Sequence, residues 1–159
     1  MTLQKLFVTF LGTGLSPKLP DIAATLLALI TGVILLHMVG MGTLFMLILA
    51  VVIIGIFEIN KYDDPHSSEI VIDNAAGMWL ALLVPYTTAL SVSYPYAQEL
   101  GIFFSFASFL LFMTWKPSTI GWIEQNVKGG LGVMGSAALA GFAGGFLTVA
   151  ILLGIDKLF

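Results

Sequence analysis

"SPKLPDIAATLLALITG", residues 16–32, sets a proline-flanked lysine directly against a long apolar run. From Ile22 to Val39 no residue carries a formal charge. A charge-free stretch of that length is a candidate membrane helix. The same arrangement returns at "YDDPHSSEIVID", residues 62–73, and at "WKPSTIGWIEQNVKGG", residues 115–130. At each place a polar or basic loop meets an apolar segment, and we read these loops as sharing one side of a membrane.

Composition supports that reading. Of 159 residues, 58% are hydrophobic and only 9% charged, with a mean hydropathy of +1.04. Soluble domains run nearer a quarter charged, and a chain of this length cannot bury so much apolar surface in its own core. The expected fold is all-α: a polytopic membrane helical bundle of about five apolar segments plus an N-terminal amphipathic interfacial helix. Residues 1–159 form a single domain, since no Ser/Pro-rich linker or charge block divides them. With no cysteine, thiol chemistry is excluded. The net charge of −3 argues against nucleic acid, which requires a basic face. All six basic residues are lysines, so arginine is absent.

Leu3, Leu6, Phe7, Phe10 and Leu11 follow i, i+3, i+4, i+7, i+8 spacing, with Gln4, Lys5 and Thr9 elsewhere. This predicts an amphipathic helix, either lying in the interface or packed on the bundle. No small-residue cleavage site follows, so a signal peptide is not expected. The five apolar segments run Ile22–Val39, Thr43–Ile56, Ala75–Val92, Leu100–Trp115 and Leu131–Ile155. Five crossings place Lys5, Lys18, Lys61, Lys116 and Lys128 on the side of the N-terminus, against Lys157 alone on the other. The positive-inside rule then puts the N-terminus and the polar loops in the cytoplasm. Seven acids share that face: Asp21, Glu58, Asp63, Asp64, Glu69, Asp73 and Glu124. Gly132, Ser136, Ala140 and Gly144 recur every four residues, beside a second stripe of Ala137, Gly141 and Gly145. Small residues at this spacing allow close helix packing, inside the bundle or in a homodimer through the Gly141/Gly145 face.

The polar loops resemble those of the phosphatidylglycerophosphatase A family. "GTGLSPKLP" (12–20) resembles its Gly-x-Gly-Leu-Ser-Pro-x-x-Pro signature. "DDPHSSEIVIDNAAGMWLAL" (63–82) is similar to its Asp-Pro…Ile-Val-Ile-Asp-Glu…Gly-x-Trp segment. "WKPSTIGWIEQNVKGGLGVM" (115–134) resembles its Trp-Lys-Pro…Lys-Gly-Gly-x-Gly-Val-Met segment. The resemblance implies a multi-pass enzyme of the bacterial inner membrane. Such an enzyme uses Mg²⁺ to remove the terminal phosphate of phosphatidylglycerophosphate, leaving phosphatidylglycerol. It further implies that Ser16, Lys18, Lys116, Lys128, Gly129 and Gly130 meet the lipid phosphate. Asp73 with Asp64 is the catalytic pair so implied, and Asp73, Asp64 and Asp63 are its metal ligands. Read without the family, the lysines anchor helix ends among anionic headgroups and Asp73 caps a helix.

The departures from the family are specific. Asn74 stands where the family has glutamate, and Leu110 and Met113 replace its Arg-x-x-Asp. Ser136 and Ala137 replace an Asp-Asp pair, and Asp21-Ile22 replaces Gly-Thr. Neither Ser136 nor Ala137 can act as a carboxylate base. Phosphate-monoester hydrolysis demands a very large rate factor, so weak or absent turnover is expected. Two other readings are an inactive homologue that keeps the fold and anionic-lipid binding, and a small transporter or channel. The lack of charge within the five segments counts against the last.

Overall fold

The computed structural model describes residues 3–15, 20–61, 70–92, 95–115 and 118–158. Helices α1 (Leu3–Val8), α2 (Pro20–Ile59), α3 (Ile72–Ser91), α4 (Ala97–Trp115), α5 (Ser118–Asn126) and α6 (Gly129–Leu158) make up nearly all of them. There is no strand among the described residues, so the all-α expectation holds. Among the described residues, three stretches are long and apolar enough to cross a membrane: Asp21–Ile59, Ala97–Trp115 and Gly129–Leu158.

The first of these is too long for one crossing. A straight helix of 40 residues would measure about 60 Å, twice a hydrocarbon core of about 30 Å. Gly40 breaks it with φ 86° and ψ 173°, a backbone conformation that glycine adopts without steric cost. The ends of α2 return to one end of the bundle. Asp21 meets Asn74 at the start of α3, and Asn60 meets Gly130 at the start of α6. Those two starts lie together because α3 and α6 run in the same direction. Gly77 faces Ala137 and Gly141, and Val84 faces Gly145. So α2 is a helical hairpin, and its arms, 21–39 and 41–59, hold the first two apolar segments read from the sequence.

Helix α3 is the axis of the bundle. Every residue from Ile72 to Leu83 is buried, enclosed by α2, α4 and α6. Being surrounded by protein, it tolerates Asp73, Asn74 and Pro85, which would be costly against lipid. The outward face of α2 is different in kind, exposing Ile30, Ile34, Met46, Ile53 and Phe57. Helix α4 runs against both α3 and α6, with Gly101 beside Ala89 and Leu152, and Phe109 against Gly77 and Gly144.

The small-residue stripes of α6 are what allow this packing. A Cβ on Gly77 would lie 2.6 Å from the Ala137 carbonyl oxygen, and one on Gly145 would lie 2.6 Å from Val84 Cβ. Gly141 meets the backbone of Gly77 as closely. Of the two readings of these stripes, packing inside the bundle is the one observed, and the homodimer through the Gly141/Gly145 face is corrected, because α3 of the same chain covers that face.

The N-terminal expectation also changes. Helix α1 ends at Val8, and Phe10 and Leu11 take positive φ (47° and 58°), so the Leu3–Leu11 stripe does not form one helix. Val8, Thr9 and Phe10 are buried instead. The Val8 carbonyl accepts from Val71 N at 2.9 Å, and Phe10 sets its ring edge-on to Trp79 at 6.0 Å. This part of the segment is docked on the start of α3.

Candidate functional site

The starts of α3 and α6, both ends of α2 and the end of α4 meet at one end of the bundle, and the described residues of the sequence motifs include these starts and ends. Asp73 is the second residue of α3. The N-cap is Val71, which offers no side-chain cap, so the expectation of Asp73 as cap is corrected. Asp73 lies within the first turn, where the helix dipole favours a carboxylate, and it is only 8% exposed.

Asn74 beside it is 2% exposed and donates from Nδ2 to Asp21 Oδ1 at 3.0 Å. Asp21 stands in the first turn of α2 behind Pro20, which fits the first position of a helix because its missing N–H has no partner there to lose. The carboxylate of Asp21 thus sits within hydrogen-bond reach of the side chain at position 74.

Helical register brings the substituted positions to the same level. One turn from Gly77 toward this end is Asp73, one turn from Phe109 is Met113, and one turn from Ala137 is Val133. Since Gly77, Phe109 and Ala137 are in contact, Asp73, Met113 and the 133–137 turn converge where α3, α4 and α6 join. Met113 packs against the apolar core there, and Leu110 is half-buried one turn along α4. Ser136 is buried and donates to the Val133 carbonyl at 3.0 Å, and Ala137 has no exposed surface. The acids and arginine implied by the resemblance are replaced here by groups that suit a dry interior.

The Lys128-Gly129-Gly130 turn is held by α2. Gly130 N–H donates to Asn60 Oδ1 at 2.7 Å, and a Cβ on Gly130 would lie 2.8 Å from Ile56 Cα. Gly129 has φ 72°, which disfavours any other residue. The expectation that Gly130 offers its N–H to phosphate is corrected, because Asn60 already accepts that hydrogen. Lys128 is exposed beside the turn. Ser16, Lys18, Asp63, Asp64 and Lys116 lie outside the described residues.

Two motif residues have structural work instead. Trp79 Nε1 donates to the Ala28 carbonyl at 2.9 Å, tying α3 to the first arm of α2, and Gly77 admits α6. Two residues of this end were missed from the sequence, Asp21 and Asn60. Asp21 had a signal: an acid gained at 21 and an acid lost at 74 are opposite changes, and neither position alone reveals that they touch.

Among the described residues no three His, Cys, Asp or Glu side chains come together as a metal site. Mg²⁺ asks less, taking one or two carboxylates and keeping waters and substrate oxygens as its other ligands. The Asp73 and Asp21 carboxylates, with the Asn74 carboxamide oxygen, are the hard oxygen donors that such an ion prefers.

This fold defines a helical membrane protein whose buried Asp73 and Asn74 lie at one end, with Asp21 and Asn60. The chain belongs to the phosphatidylglycerophosphatase A family, whose model matches residues 6–152. It is also 32% identical over 158 residues to a protein of Bacteroides thetaiotaomicron that carries a provisional description as a phosphatidylinositol-3-phosphatase. That match covers 94% of this chain and 92% of the relative. No solved structure matches the chain.

Proposed function

We propose that this chain is a phosphatidylglycerophosphatase of the bacterial inner membrane, acting at the cytoplasmic face with reduced turnover. The observation that carries the reading is the convergence of the described parts of the family's motif segments, with buried Asp73, at one end of the bundle. The two arms of α2, with α3, α4 and α6, make five crossings, and the lysine asymmetry puts the Asp73 end in the cytoplasm.

In this reading Asp73 and Asp21 hold Mg²⁺, together with Asp63 or Asp64. Bound there, the ion would neutralise charge on the phosphoryl oxygens and orient the monoester. Lys128, with Lys18 and Lys116, supplies point charges that hold the lipid phosphate. Asn74 fixes Asp21 beside Asp73. Water attacks phosphorus and gives its proton to Asp73, and the bond to the glycerol oxygen breaks; that oxygen takes up the proton from Asp73, so that the lipid alcohol and inorganic phosphate leave. Without the family's arginine and Asp-Asp pair, transition-state charge falls to lysines and metal, which makes turnover slow.

The relative's description favours a second substrate of the same class, a phosphoinositide monoester. Phosphate release in detergent decides between them, measured on phosphatidylglycerophosphate and on phosphatidylinositol 3-phosphate, with Mg²⁺ and with chelator. Release from the first that is slow, Mg²⁺-dependent and abolished by Asp73→Asn is expected. No release from either lipid points to an inactive homologue.

A further inference from the structure

The end of the bundle away from Asp73 holds a cavity that this chemistry does not use. It lies between the first arm of α2, α3 and α4, and includes Val33, His37, Pro85, Tyr86, Gln98 and Ser105 in its lining. His37 and Gln98 are exposed, whereas Ser105 is fully buried, so the cavity opens at the first two and closes on the third. Ser105 follows Gln98 by two turns of α4, which sets the base about 10 Å below the rim.

Ser105 is the unusual residue. Its Oγ is buried without a hydrogen-bond partner. Hydroxyls in membrane helices commonly bond back to the carbonyl four residues earlier. Thr25, Thr31, Thr114 and Thr148 all do so here, at 2.6–2.9 Å. Ser105 does not, and a buried donor left without an acceptor costs stability unless something supplies one. Around Ser105 the lining is mostly apolar, from Val33, Leu36, Leu82, Pro85, Ala89 and Ile102.

We propose that this cavity binds a bilayer-dissolved molecule with a hydrocarbon body and a carbonyl oxygen, the oxygen accepting from Ser105 Oγ. Apolar walls select the hydrocarbon, and one donor at a closed base selects one acceptor. The lining holds no carboxylate or lysine and its one titratable imidazole, His37, is at the open rim, so an ionic group at the base would be left unpaired. Two membrane sources share this chemistry, the acyl ester of a lipid and the ring carbonyl of an isoprenoid quinone. The site is independent of the phosphatase reading, which concerns the other end of the bundle.

The test uses the full chain in nanodiscs and two photoreactive probes. One is a monoacylglycerol with a diazirine in its chain, and the other is the matching ether, which lacks the carbonyl. The ester should label cavity residues on α4 and α2 roughly three- to tenfold more than the ether, the worth of about one hydrogen bond. Ser105→Ala should bring the ester down to the ether level while leaving thermal stability unchanged or higher. Val33→Phe, which fills the cavity, should suppress both probes. Displacement of the ester probe by an isoprenoid quinone assigns the quinone as natural source, and resistance assigns the lipid ester. Equal labelling by ester and ether, labelling indifferent to Ser105→Ala, or label confined to the outer helix faces overturns the proposal.

Discussion

The Asn74 carboxamide and the Asp21 carboxylate are joined at 3.0 Å across two helices that are far apart in sequence. In the family pattern position 74 is an acid and position 21 a glycine, so this chain has the carboxylate on the opposite helix, at about the same point in space. The pair also ties the first arm of α2 to the start of α3.

Asn74→Glu alone should therefore set a carboxylate at a buried position against the exposed one of Asp21. Like charges at that separation disfavour ionisation of both, and the Asp21–Asn74 hydrogen bond is lost as well. We expect a loss of about 1–3 kcal/mol without metal, partly recovered with Mg²⁺. The exchange Asp21→Gly with Asn74→Glu removes the repulsion and should tolerate chelator better than Asn74→Glu. Thermal unfolding in detergent with Mg²⁺ or chelator checks this. An Asn74→Glu protein as stable as the parent in chelator would contradict it.

The α3–α6 contact predicts a sharp contrast among glycines. Gly77→Ala puts a methyl against Phe109 and the Ala137 carbonyl and should cost about 1–3 kcal/mol as overpacking. At Gly154, where a Cβ meets nothing, alanine should be neutral or gain about 0.5–1 kcal/mol of helix propensity. Denaturant titration of the two variants in detergent gives both numbers, and equal effects would remove the close approach from the account.

The hairpin in α2 makes the sidedness testable. Cysteines at Lys61 and Lys128 should react with an impermeant thiol reagent from one side of the membrane, and those at Met38 and Glu99 from the other. All four positions are exposed, and the chain has no native cysteine to interfere. Met38 and Lys61 labelled from the same side would be incompatible with a fold-back at Gly40.

How much of this was readable beforehand depends on what each residue answers to. The apolar arms of α2, the segments of α4 and α6 and the small-residue stripes follow from the bilayer and from helical spacing, and they lie where the sequence placed them. The break in α1 did not show, because i, i+3, i+4 spacing says nothing of the positive φ at Phe10 and Leu11. Nor did the engagement of Gly130 N–H, since it depends on Asn60, seventy residues away in the chain. Asp73 was legible as an acid at a helix start, whereas Asp21 was legible only as a departure from the family's Gly-Thr, because its meaning lies in a side chain on another helix.

The last prediction joins the dry junction to the chemistry. Restoring Asn74→Glu, Met113→Asp, Ser136→Asp and Ala137→Asp with Leu110→Arg would place several charges around Asp73, where Ser136 and Ala137 are now buried. Unpartnered carboxylates there are expensive, so the restored protein should unfold more readily in chelator. If Mg²⁺ binds the folded state, it should raise the unfolding midpoint in proportion to the logarithm of its concentration over Kd. Phosphate release should rise with the full set and hardly at all with single restorations, because groups that act as a unit are strongly non-additive. A restored protein that folds, is stabilised by Mg²⁺ and still releases no phosphate would show that the missing acids are not what limits turnover. A parent chain already as fast as the restored one would show that Asp73 and Asp21, with the lysines, suffice.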